Sequence, residues 1–558
     1  MPRQPRGFGH PRCPGQDPRL RGCRCLGGIL PHHEPVLHER SEASPADVVS
    51  GLSCAVSTGL RKACAAALTA VWVAAVLPGC QSHPGDPAVV AGAQGDLVGS
   101  SDGTVRVFRG IPYASAPVGG DRWRPPGPAP AWQGRRDAAS FGPACPQPAR
   151  RDRPVGVGRT SEDCLYLNVW APTGAVDAPV MVWIHGGAFR VGAGSLPVYD
   201  GTSFAANGVV LVTFNYRLGR LGFFAHPSLE VSGNFGFMDQ VAALQWVQRN
   251  IGAFGGDPDN VTVFGESAGG ASVLYLLTSP RAEGLFARAA IQSGGGMQVS
   301  RHLTERRGRR ASLMAEGIAW QGRDVSAHAL RALPVETVLG NGLGTVGGAG
   351  PVIDGEWIVG DPGARLLEGS FHRVPVLVGS NSHEASVLTA FGTDAEAAVA
   401  ASAIDMERLR SIYPEDDWAA RAWGDGAFVA GARLIARAAA QAGTPAWLYH
   451  FDYVLARRRD EIPGAPHGSE IPFVFNTLDR LPGSRLLVTE EDRAMARRLH
   501  SHWLSFARGG NPAGRVEGYW PAYVAAKDTL LYMGERVEAV GGFRRVQLDF
   551  HESRWPEP

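Results

Sequence analysis

Residues 261–272 read VTVFGESAGGAS, in which a short apolar run leads into Gly265, Glu266 and Ser267 and then into small residues. This order predicts a buried strand, a sharp turn at Ser267 and the start of a helix. A serine at such a turn has a strained backbone, and the flanking glycines let strand and helix approach each other. Because Gly-x-Ser-x-Gly also arises by chance in a chain with 72 glycines, this setting is what favours Ser267 as a nucleophile over an ordinary glycine-rich turn.

Other short apolar runs, such as 180–184 and 209–214, alternate along the chain with helix-like segments such as 238–251. Runs that are apolar throughout suit strands covered on both faces. The alternation therefore predicts an α/β fold with a mostly parallel central sheet flanked by helices. Residues 97–558 contain no linker or repeat and are expected to form one domain, with a helical, polar insertion at 300–345.

Two consecutive glycines, Gly186 and Gly187, follow directly on the apolar run 180–184. Glycines in this position let the backbone turn its N–H groups inward, where they can stabilise an oxyanion. The N–H of Ala268, at the N-terminus of the predicted helix, is a third candidate donor. The alternative is a plain turn at a strand end, and His185 before the glycines is expected to be structural.

A serine nucleophile needs a histidine base and a carboxylate that orients the histidine. His467 lies in a loop bracketed by proline and glycine after a strand-like run, where a base can reach over the carboxyl edge of a sheet. Enzymes with the α/β-hydrolase fold place these residues in the order serine, acid, histidine. Glu384 follows another apolar run and fits that order, but the order also allows Asp354 and Asp361.

The amino-acid composition indicates the general class of protein to which the chain belongs. The 558 residues are 44% apolar and 19% charged with a net charge of +1, which is typical of a globular protein and gives no sign of a nucleic-acid partner. The sequence has no zinc-ligand spacing, phosphate-binding loop or dinucleotide fingerprint, so no metal or cofactor is expected.

The N-terminal part of the chain differs from the rest. Residues 1–55 are rich in Arg, Pro and Gly, and are expected to be untranslated or cleaved away. Residues 56–80 contain a basic step, an apolar run and the sequence LPGC, which predicts an export signal. The ending also resembles a bacterial lipobox, in which Cys80 would carry the lipid. Simple secretion and a buried N-terminal helix are the alternatives, and residues 81–96 are interpreted as a linker.

The cysteines support an exported protein. Beyond Cys80 the chain contains Cys145 and Cys164, an even pair that predicts a disulfide in an oxidising compartment. The expected location is therefore outside the cell, either secreted or held at the cell envelope through a lipidated Cys80.

Several motifs in a fixed order identify a family. The motifs are FRGIPYA at 108–114, SEDCLYLNV at 161–169, NYRLG at 215–219, GNFG at 233–236 and QSG at 292–294. Together with the serine motif they make residues 97–523 resemble the type B carboxylesterases, which include cholinesterases, mammalian carboxylesterases and bacterial nitrobenzyl esterases.

The resemblance implies an α/β-hydrolase fold with helical insertions over the active site, and a serine carboxylesterase activity. It implies Glu384 as the acid and His467 as the base. It also implies that the N–H groups of Gly186, Gly187 and Ala268 form the oxyanion hole.

Further structural features follow from the same resemblance. It implies a disulfide between Cys145 and Cys164. It also implies two ion pairs, which would join Arg109 to Glu162 and Arg217 to Asp239.

One departure from the family pattern bears on the substrate. In cholinesterases the corresponding cysteine loop carries a tryptophan that binds choline, whereas residues 146–163 contain no aromatic residue. A general carboxylesterase is therefore expected, with an amide, carbamate, thioester or lipid substrate as the alternative. A non-catalytic binding module like the neuroligins is disfavoured because Ser267, Glu384 and His467 are all present.

Overall fold

The run 261–264 lies within a strand near the middle of the central sheet. The computed structural model describes residues 88–148, 157–231, 233–295, 315–340, 350–402, 405–480, 482–514 and 519–555. In this part of the chain the 13 strands of the sheet are β1 (Ala88–Gly92), β2 (Gly95–Ser101), β3 (Val105–Pro112), β4 (Arg135–Asp137), β5 (Tyr166–Pro172), β6 (Ala178–Ile184), β7 (Val210–Phe214), β8 (Gly256–Glu266), β9 (Arg288–Gln292), β10 (Val376–Asn381), β11 (Ala446–Phe451), β12 (Thr529–Met533) and β13 (Val537–Gly541).

The strand order is β1-β2-β3-β5-β7-β6-β8-β9-β10-β11-β12-β13, and β4 pairs with β2. Every neighbouring pair from β7 to β12 is parallel. On either side of this parallel part, the neighbouring strands from β1 to β7 and the pair of β12 and β13 are antiparallel. The predicted mostly parallel central sheet is therefore confirmed, and Ser267 directly follows the carboxyl end of one of its parallel strands.

Helices cover the sheet and the ends of its strands. Those with both ends in the described ranges are α1 (Thr202–Ala206), α2 (Gly219–Gly222), α3 (Phe235–Asn250), α4 (Ala268–Thr278), α5 (Ala327–Arg331), α6 (Val335–Leu339), α7 (Pro362–Leu367), α8 (Ser386–Ala390), α9 (Ala395–Ala400), α10 (Met406–Ile412), α11 (Trp418–Gly424), α12 (Ala430–Gln441), α13 (Ile471–Val474), α14 (Ser484–Leu487), α15 (Glu490–Gly509) and α16 (Arg545–Glu552).

The two faces of the sheet are both buried, as the uninterrupted apolar runs require. In β6, Val182 and Ile184 belong to the apolar core on one face, whereas Met181 and Trp183 belong to the core on the other. All residues of β7, β10 and β11 are buried. This explains why these strands lack the alternation of polar and apolar residues that a half-exposed strand shows.

The strand-to-helix junction at Ser267 depends on glycine. A Cβ atom on Gly269 would lie 1.9 Å from the carbonyl oxygen of Ile184, and one on Gly265 would lie 2.6 Å from the carbonyl carbon of Gly269. Side chains at these two positions would push α4 away from β6 and β8. The glycines therefore hold the N-terminus of α4 against the sheet edge.

The sheet begins earlier than the sequence suggests. Residues 81–96 were expected to form a linker, but they include β1 and the start of β2, which pair as an antiparallel hairpin. Residues 88–96 are therefore part of the sheet. The hydropathy signal for β1 in the sequence is weak, because only alternate residues of this strand are buried. Residues 1–87, which contain the predicted export signal and Cys80, lie outside the described residues.

The structure contains the predicted ion pair between Arg217 and Asp239, whereas the predicted pair between Arg109 and Glu162 is wrong. Asp239 accepts hydrogen bonds from Nε and Nη2 of Arg217 at 2.8 and 2.7 Å, and both side chains are buried. Glu162 pairs with Arg122 instead of Arg109. The Arg109 guanidinium instead lies 4.9 Å from the ring of Phe141 and donates to the carbonyl oxygen of Ala139.

Replacing Arg217 with alanine is expected to lower the free energy of unfolding by about 3–5 kcal/mol, because it leaves the buried Asp239 carboxylate without a partner. The matched control is Arg281→Ala, which removes an exposed pair with Glu356 and is expected to cost less than about 1 kcal/mol. Urea denaturation of both variants measures the difference. Equal stability of the two variants would contradict the structural role of the buried pair.

Three further features complete the scaffold. Cys145 and Cys164 are joined by a disulfide, with their Cα atoms 5.0 Å apart. Residues 315–340 of the expected helical insertion include α5 and α6, whose Leu330 and Val338 are buried in an apolar cluster with residues of α2 and α3. In the ranges that the structure describes, every helix falls short of the length and apolar character that a membrane span needs.

Candidate active site

Ser267 occupies the turn between β8 and α4 with φ 55° and ψ −121°, a strained conformation for a residue other than glycine. Its N–H donates to the carbonyl oxygen of Gln292 at 2.9 Å, and its own carbonyl oxygen accepts from the N–H of Ala271 at 2.8 Å. These two bonds fix the turn from both sides. The side chain is thus presented at the carboxyl edge of the sheet, as the sequence predicts.

The glycine segment after β6 lies beside this turn. A Cβ atom on Gly186 would be 3.2 Å from the Cβ of Ser267. Gly187 and Ala188 follow with positive φ angles of 110° and 55°, and both line the same cavity as Ser267. The loop and turn hydrogen bonds of the described residues include none donated by the N–H of Gly187 or Ala188. Ala188 is therefore a candidate oxyanion donor that the sequence did not single out.

His467 reaches the cavity from the loop after β11. Its N–H donates to Oγ of Ser386 at 2.8 Å, and its ring contacts the ring of Phe428 with centroids 5.0 Å apart. Nδ1 of His467 lies 2.5 Å from Oε2 of Glu384. A hydrogen bond from Nδ1–H to a carboxylate fixes the tautomer that leaves Nε2 free to accept a proton.

Glu384 is itself held in place by neighbouring donors. Its Oε1 accepts from Oγ of Ser293 at 2.6 Å and from the N–H of Asn381 at 2.7 Å. The side chain is 1% exposed. These bonds use one carboxylate oxygen and leave the other for His467, so the orientation of the carboxylate is determined by the scaffold.

The other two carboxylates that sequence order allowed have different partners. Asp354 accepts hydrogen bonds from the side chain of Asn234 and from backbone N–H groups of its own loop. Asp361 caps the N-terminus of α7. Each of them therefore stabilises local structure, and Glu384 is the one of the three that contacts His467.

The free nitrogen of His467 faces a second carboxylate. Nε2 lies 3.1 Å from Oε1 of Glu266, the residue immediately before Ser267. Nε2 makes no hydrogen bond in the described part of the chain, including none to Oγ of Ser267. The structure therefore brings His467 and Ser267 into one cavity, with Glu384 buried behind His467, without forming the final serine–histidine bond. In unliganded enzymes this bond is often long and forms when substrate is bound.

A third glutamate, Glu470, completes a buried acidic group around the histidine. Its carboxylate accepts from Nε2 of Gln292 at 2.9 Å and from Nδ2 of Asn381 at 2.6 Å, and the residue is fully buried. Gln292 is the last residue of β9 and Asn381 is the last residue of the neighbouring strand β10. Glu470 thus ties the histidine loop to the same edge that carries Ser267 and Glu384.

Burial and mutual charge shift the protonation of this group. Burial raises the pKa of Glu266, and the neighbouring His467 offsets only part of that increase. Burial alone would lower the pKa of His467, but the charges of Glu266 and Glu384 outweigh it and raise that pKa. Burial also raises the pKa of Glu470. The neutral imidazole that can act as a base therefore forms at a higher pH than in an isolated histidine.

Replacing Glu266 with glutamine is expected to move the acidic limb of the kcat/KM pH profile to lower pH by about one unit. Losing a negative charge beside Nε2 lowers the pKa of His467, so the neutral imidazole persists at lower pH. Glu470→Gln is the matched control and is expected to give a smaller shift, since Glu470 raises the pKa of His467 less than Glu266 does. An acidic limb that stays in place or moves to higher pH in the Glu266 variant would contradict this interpretation.

The cavity around Ser267 has a volume of about 480 Å³. A π-helix (Asp425–Val429) between α11 and α12 helps to shape it, since its Phe428 and Trp423 of α11 line the cavity. Such distortions of a helix are frequent at functional sites. Val387 and Leu388 of α8 also line the cavity, so helical segments lie over the site, as the resemblance implies. The apolar lining consists of Gly187, Ala188, Val191, Val387, Leu388, Phe391, Trp423, Phe428, Gly468 and Ile471.

His185 is structural, as expected. It is fully buried, stacks on Tyr216 with ring centroids 4.4 Å apart, and its Nδ1 lies 2.9 Å from the carbonyl oxygen of Gly186. Burial lowers the pKa of His185 to about 4, so it stays neutral and supports the glycine segment.

Comparisons with known proteins identify the family of the chain. The model of the carboxylesterase family matches residues 86–417 and 414–551 of the chain. A fumonisin B1 esterase from Sphingopyxis macrogoltabida is 36% identical over 519 residues, which cover 87% of this chain and 92% of that protein. A para-nitrobenzyl esterase from Bacillus subtilis is 36% identical over 479 residues, covering 80% of this chain and 95% of that protein.

Solved structures show the same fold. A PNB esterase structure has a TM-score of 0.73 and 34% sequence identity, and the match covers 82% of this chain and 99% of that one. The carboxylesterase Est55 of Geobacillus stearothermophilus has a TM-score of 0.72 and 36% identity with the same coverage. The α/β-hydrolase fold and the resemblance indicated by the sequence motifs are therefore confirmed. The chain belongs to the carboxylesterase family and is an ester hydrolase.

Proposed function

We propose that this enzyme hydrolyses carboxylic esters through a covalent acyl-enzyme on Ser267, with His467 as the base and Glu384 as the residue that orients it. The observation that carries the proposal is the 2.5 Å contact between Nδ1 of His467 and Oε2 of Glu384, because His467 lines the same cavity as Ser267. The strained turn at Ser267 supports it, because strain of this kind is typical of a nucleophile at a strand-to-helix junction.

In the proposed reaction His467 takes the proton of the Ser267 hydroxyl while Oγ attacks the ester carbonyl carbon. The negative charge on the carbonyl oxygen is stabilised by backbone N–H groups from the glycine segment and from Ala268. The imidazolium is stabilised by Glu384 and then protonates the departing alcohol. Water repeats the sequence on the acyl-enzyme, which releases the acid and restores Ser267.

The donors proposed from the sequence are Gly186, Gly187 and Ala268. Ala188 is added as a candidate because it lines the cavity with a left-handed backbone. Each well-placed donor contributes about 3 kcal/mol to transition-state stabilisation. Together these amides account for a large part of the expected rate enhancement.

The cavity favours neutral esters with apolar groups. Among the described residues its lining contains no lysine or arginine, and its charged groups are Glu266 and His467. A carboxylate next to the scissile bond would meet Glu266, which disfavours acidic substrates. The para-nitrobenzyl esterase relative makes a p-nitrobenzyl ester a reasonable test substrate.

The experiment compares p-nitrophenyl butanoate and a p-nitrobenzyl ester with the matching p-nitroanilide, a carbamate and a thioester. We expect the two carboxylic esters to have the highest kcat/KM. A preference for the anilide, the carbamate or the thioester would replace the proposed substrate class with that one. Failure to hydrolyse any of them, with a folded protein, would favour the binding-module alternative.

We also propose that the chain is exported and that residues 56–80 direct the export. The cysteine pair is consistent with an oxidising compartment. Mass spectrometry of the mature N-terminus separates the three possibilities: a lipidated Cys80, an unmodified N-terminus after simple secretion, or a retained N-terminal segment. A retained segment would contradict the proposal.

A further inference from the structure

A second cavity lies on the other side of the histidine loop. Its volume is about 740 Å³, compared with about 480 Å³ for the cavity around Ser267. Both volumes are in the range of pockets that bind small organic molecules. The lining is mostly apolar and comes from the segment before α1, from the residues after β11 and from α13. Its apolar side chains include Leu196, Val198, Leu455, Ile462, Phe473 and Leu478.

The two cavities share a thin wall. Gly468 and Ile471 line both of them, directly after the catalytic His467. A Cβ atom on Gly468 would lie 3.1 Å from Oε1 of Glu266 and 3.6 Å from Cδ1 of Ile471. Since Gly468 has no side chain, the Ile471 side chain is the part of this wall that can move by rotation.

The lining of the second cavity favours an uncharged occupant. Its two arginines are already paired, Arg458 with Glu461 at 2.6 Å and Arg480 with Asp200 at 3.1 Å. The hydroxyl of Ser469 is buried and has no hydrogen-bond partner among the described residues. The remaining lining offers aliphatic and aromatic surface, which binds an uncharged alkyl chain by removing it from water.

We propose that the second cavity binds the unbranched alkyl chain of a long-chain ester while the ester group lies at Ser267. The chain would pass beside Ile471, the residue common to both cavities. This inference rests on the proposed ester hydrolysis and adds a substrate class to it: esters whose alkyl part is too long for the catalytic cavity alone.

The test fills the second cavity without touching the catalytic residues. Val198→Trp and Leu455→Trp place a larger side chain in it from two different walls, and both residues are only partly buried. The matched control is Leu486→Trp on the nearby α14, where the side chain is 74% exposed. Thermal melting followed by circular dichroism shows that each variant is folded.

We expect kcat/KM for p-nitrophenyl dodecanoate to fall about tenfold or more in both filling variants, because the chain loses buried apolar contacts. The values for p-nitrophenyl acetate and butanoate should stay within about twofold of wild type, and Leu486→Trp should leave all of them unchanged. Unchanged dodecanoate hydrolysis in both filling variants would overturn the proposal while leaving the esterase function intact.

A binding measurement keeps the inference testable if ester hydrolysis fails. Ser267→Ala protein is titrated with decan-1-ol by calorimetry, with and without Val198→Trp. We expect the filling variant to weaken binding about tenfold. Equal binding in the two proteins, or no binding in either, would overturn the second cavity as an alkyl site.

Discussion

Replacing Ser267 with alanine is expected to lower kcat for ester hydrolysis on the order of 10⁵-fold or more, to the level left by binding and oxyanion stabilisation alone. The reason is that the acyl-enzyme cannot form without Oγ. The fold should be retained, because the two hydrogen bonds that hold the turn come from the backbone of Ser267 and not from its side chain. Hydrolysis of p-nitrophenyl butanoate by the purified variant measures the effect.

The control for this substitution is Ser293→Ala. Ser293 donates to Glu384 and does not contact the reacting atoms, so its loss is expected to cost activity by a much smaller factor, about tenfold. If Ser267→Ala retained a substantial part of the wild-type rate while Ser293→Ala did not, the nucleophile would have to be reassigned.

Replacing Glu384 with glutamine is expected to lower kcat about 10⁴-fold. The amide fills the same space but carries no charge, so it cannot stabilise the imidazolium that forms when His467 takes the serine proton. It can also present N–H to Nδ1 and favour the wrong tautomer. Because Ser293 and the N–H of Asn381 hold the other oxygen, the glutamine should occupy the position of the original side chain.

The matched control for the acid is Asp354→Asn, which neutralises a carboxylate that sequence order alone could not exclude. Asp354 bonds within its own loop and to Asn234, so the variant should keep wild-type kcat within about twofold. A large loss of kcat in Asp354→Asn together with a small one in Glu384→Gln would reverse the assignment of the acid.

The nucleophile turn was readable from the sequence because its physical requirements are local. A buried strand needs an apolar run, and the close approach of α4 to the sheet needs glycine at 265 and 269. By contrast, the apolar run before Glu384 covers residues 374–378, whereas β10 runs from Val376 to Asn381. Its last residues, Ser380 and Asn381, are polar and buried, so hydropathy alone places the end of the strand too early.

The buried carboxylates were harder to find. Glu266 is part of the serine motif, but the sequence assigns no role to it or to Glu470. Glutamate is usually a surface residue, so the sequence predicts an exposed side chain at both positions. Only the fold shows that Glu266 and Glu470 are buried around His467. The same holds for Ala188, since the direction of a backbone N–H depends on φ and ψ and not on the side chain. The prediction of an Arg109–Glu162 ion pair is wrong for a related reason. The sequence contains several arginines that could pair with this one carboxylate, and only the fold shows which of them does.

The assignment of Ser267 as the nucleophile is tested most directly by covalent labelling. The intact enzyme is treated with a fluorophosphonate, which phosphonylates activated serines, and the digested protein is mapped by mass spectrometry. We expect one adduct, on the peptide that contains Ser267, and loss of esterase activity in step with labelling. An adduct on a different serine, or full loss of activity with Ser267 unmodified, would contradict the assignment.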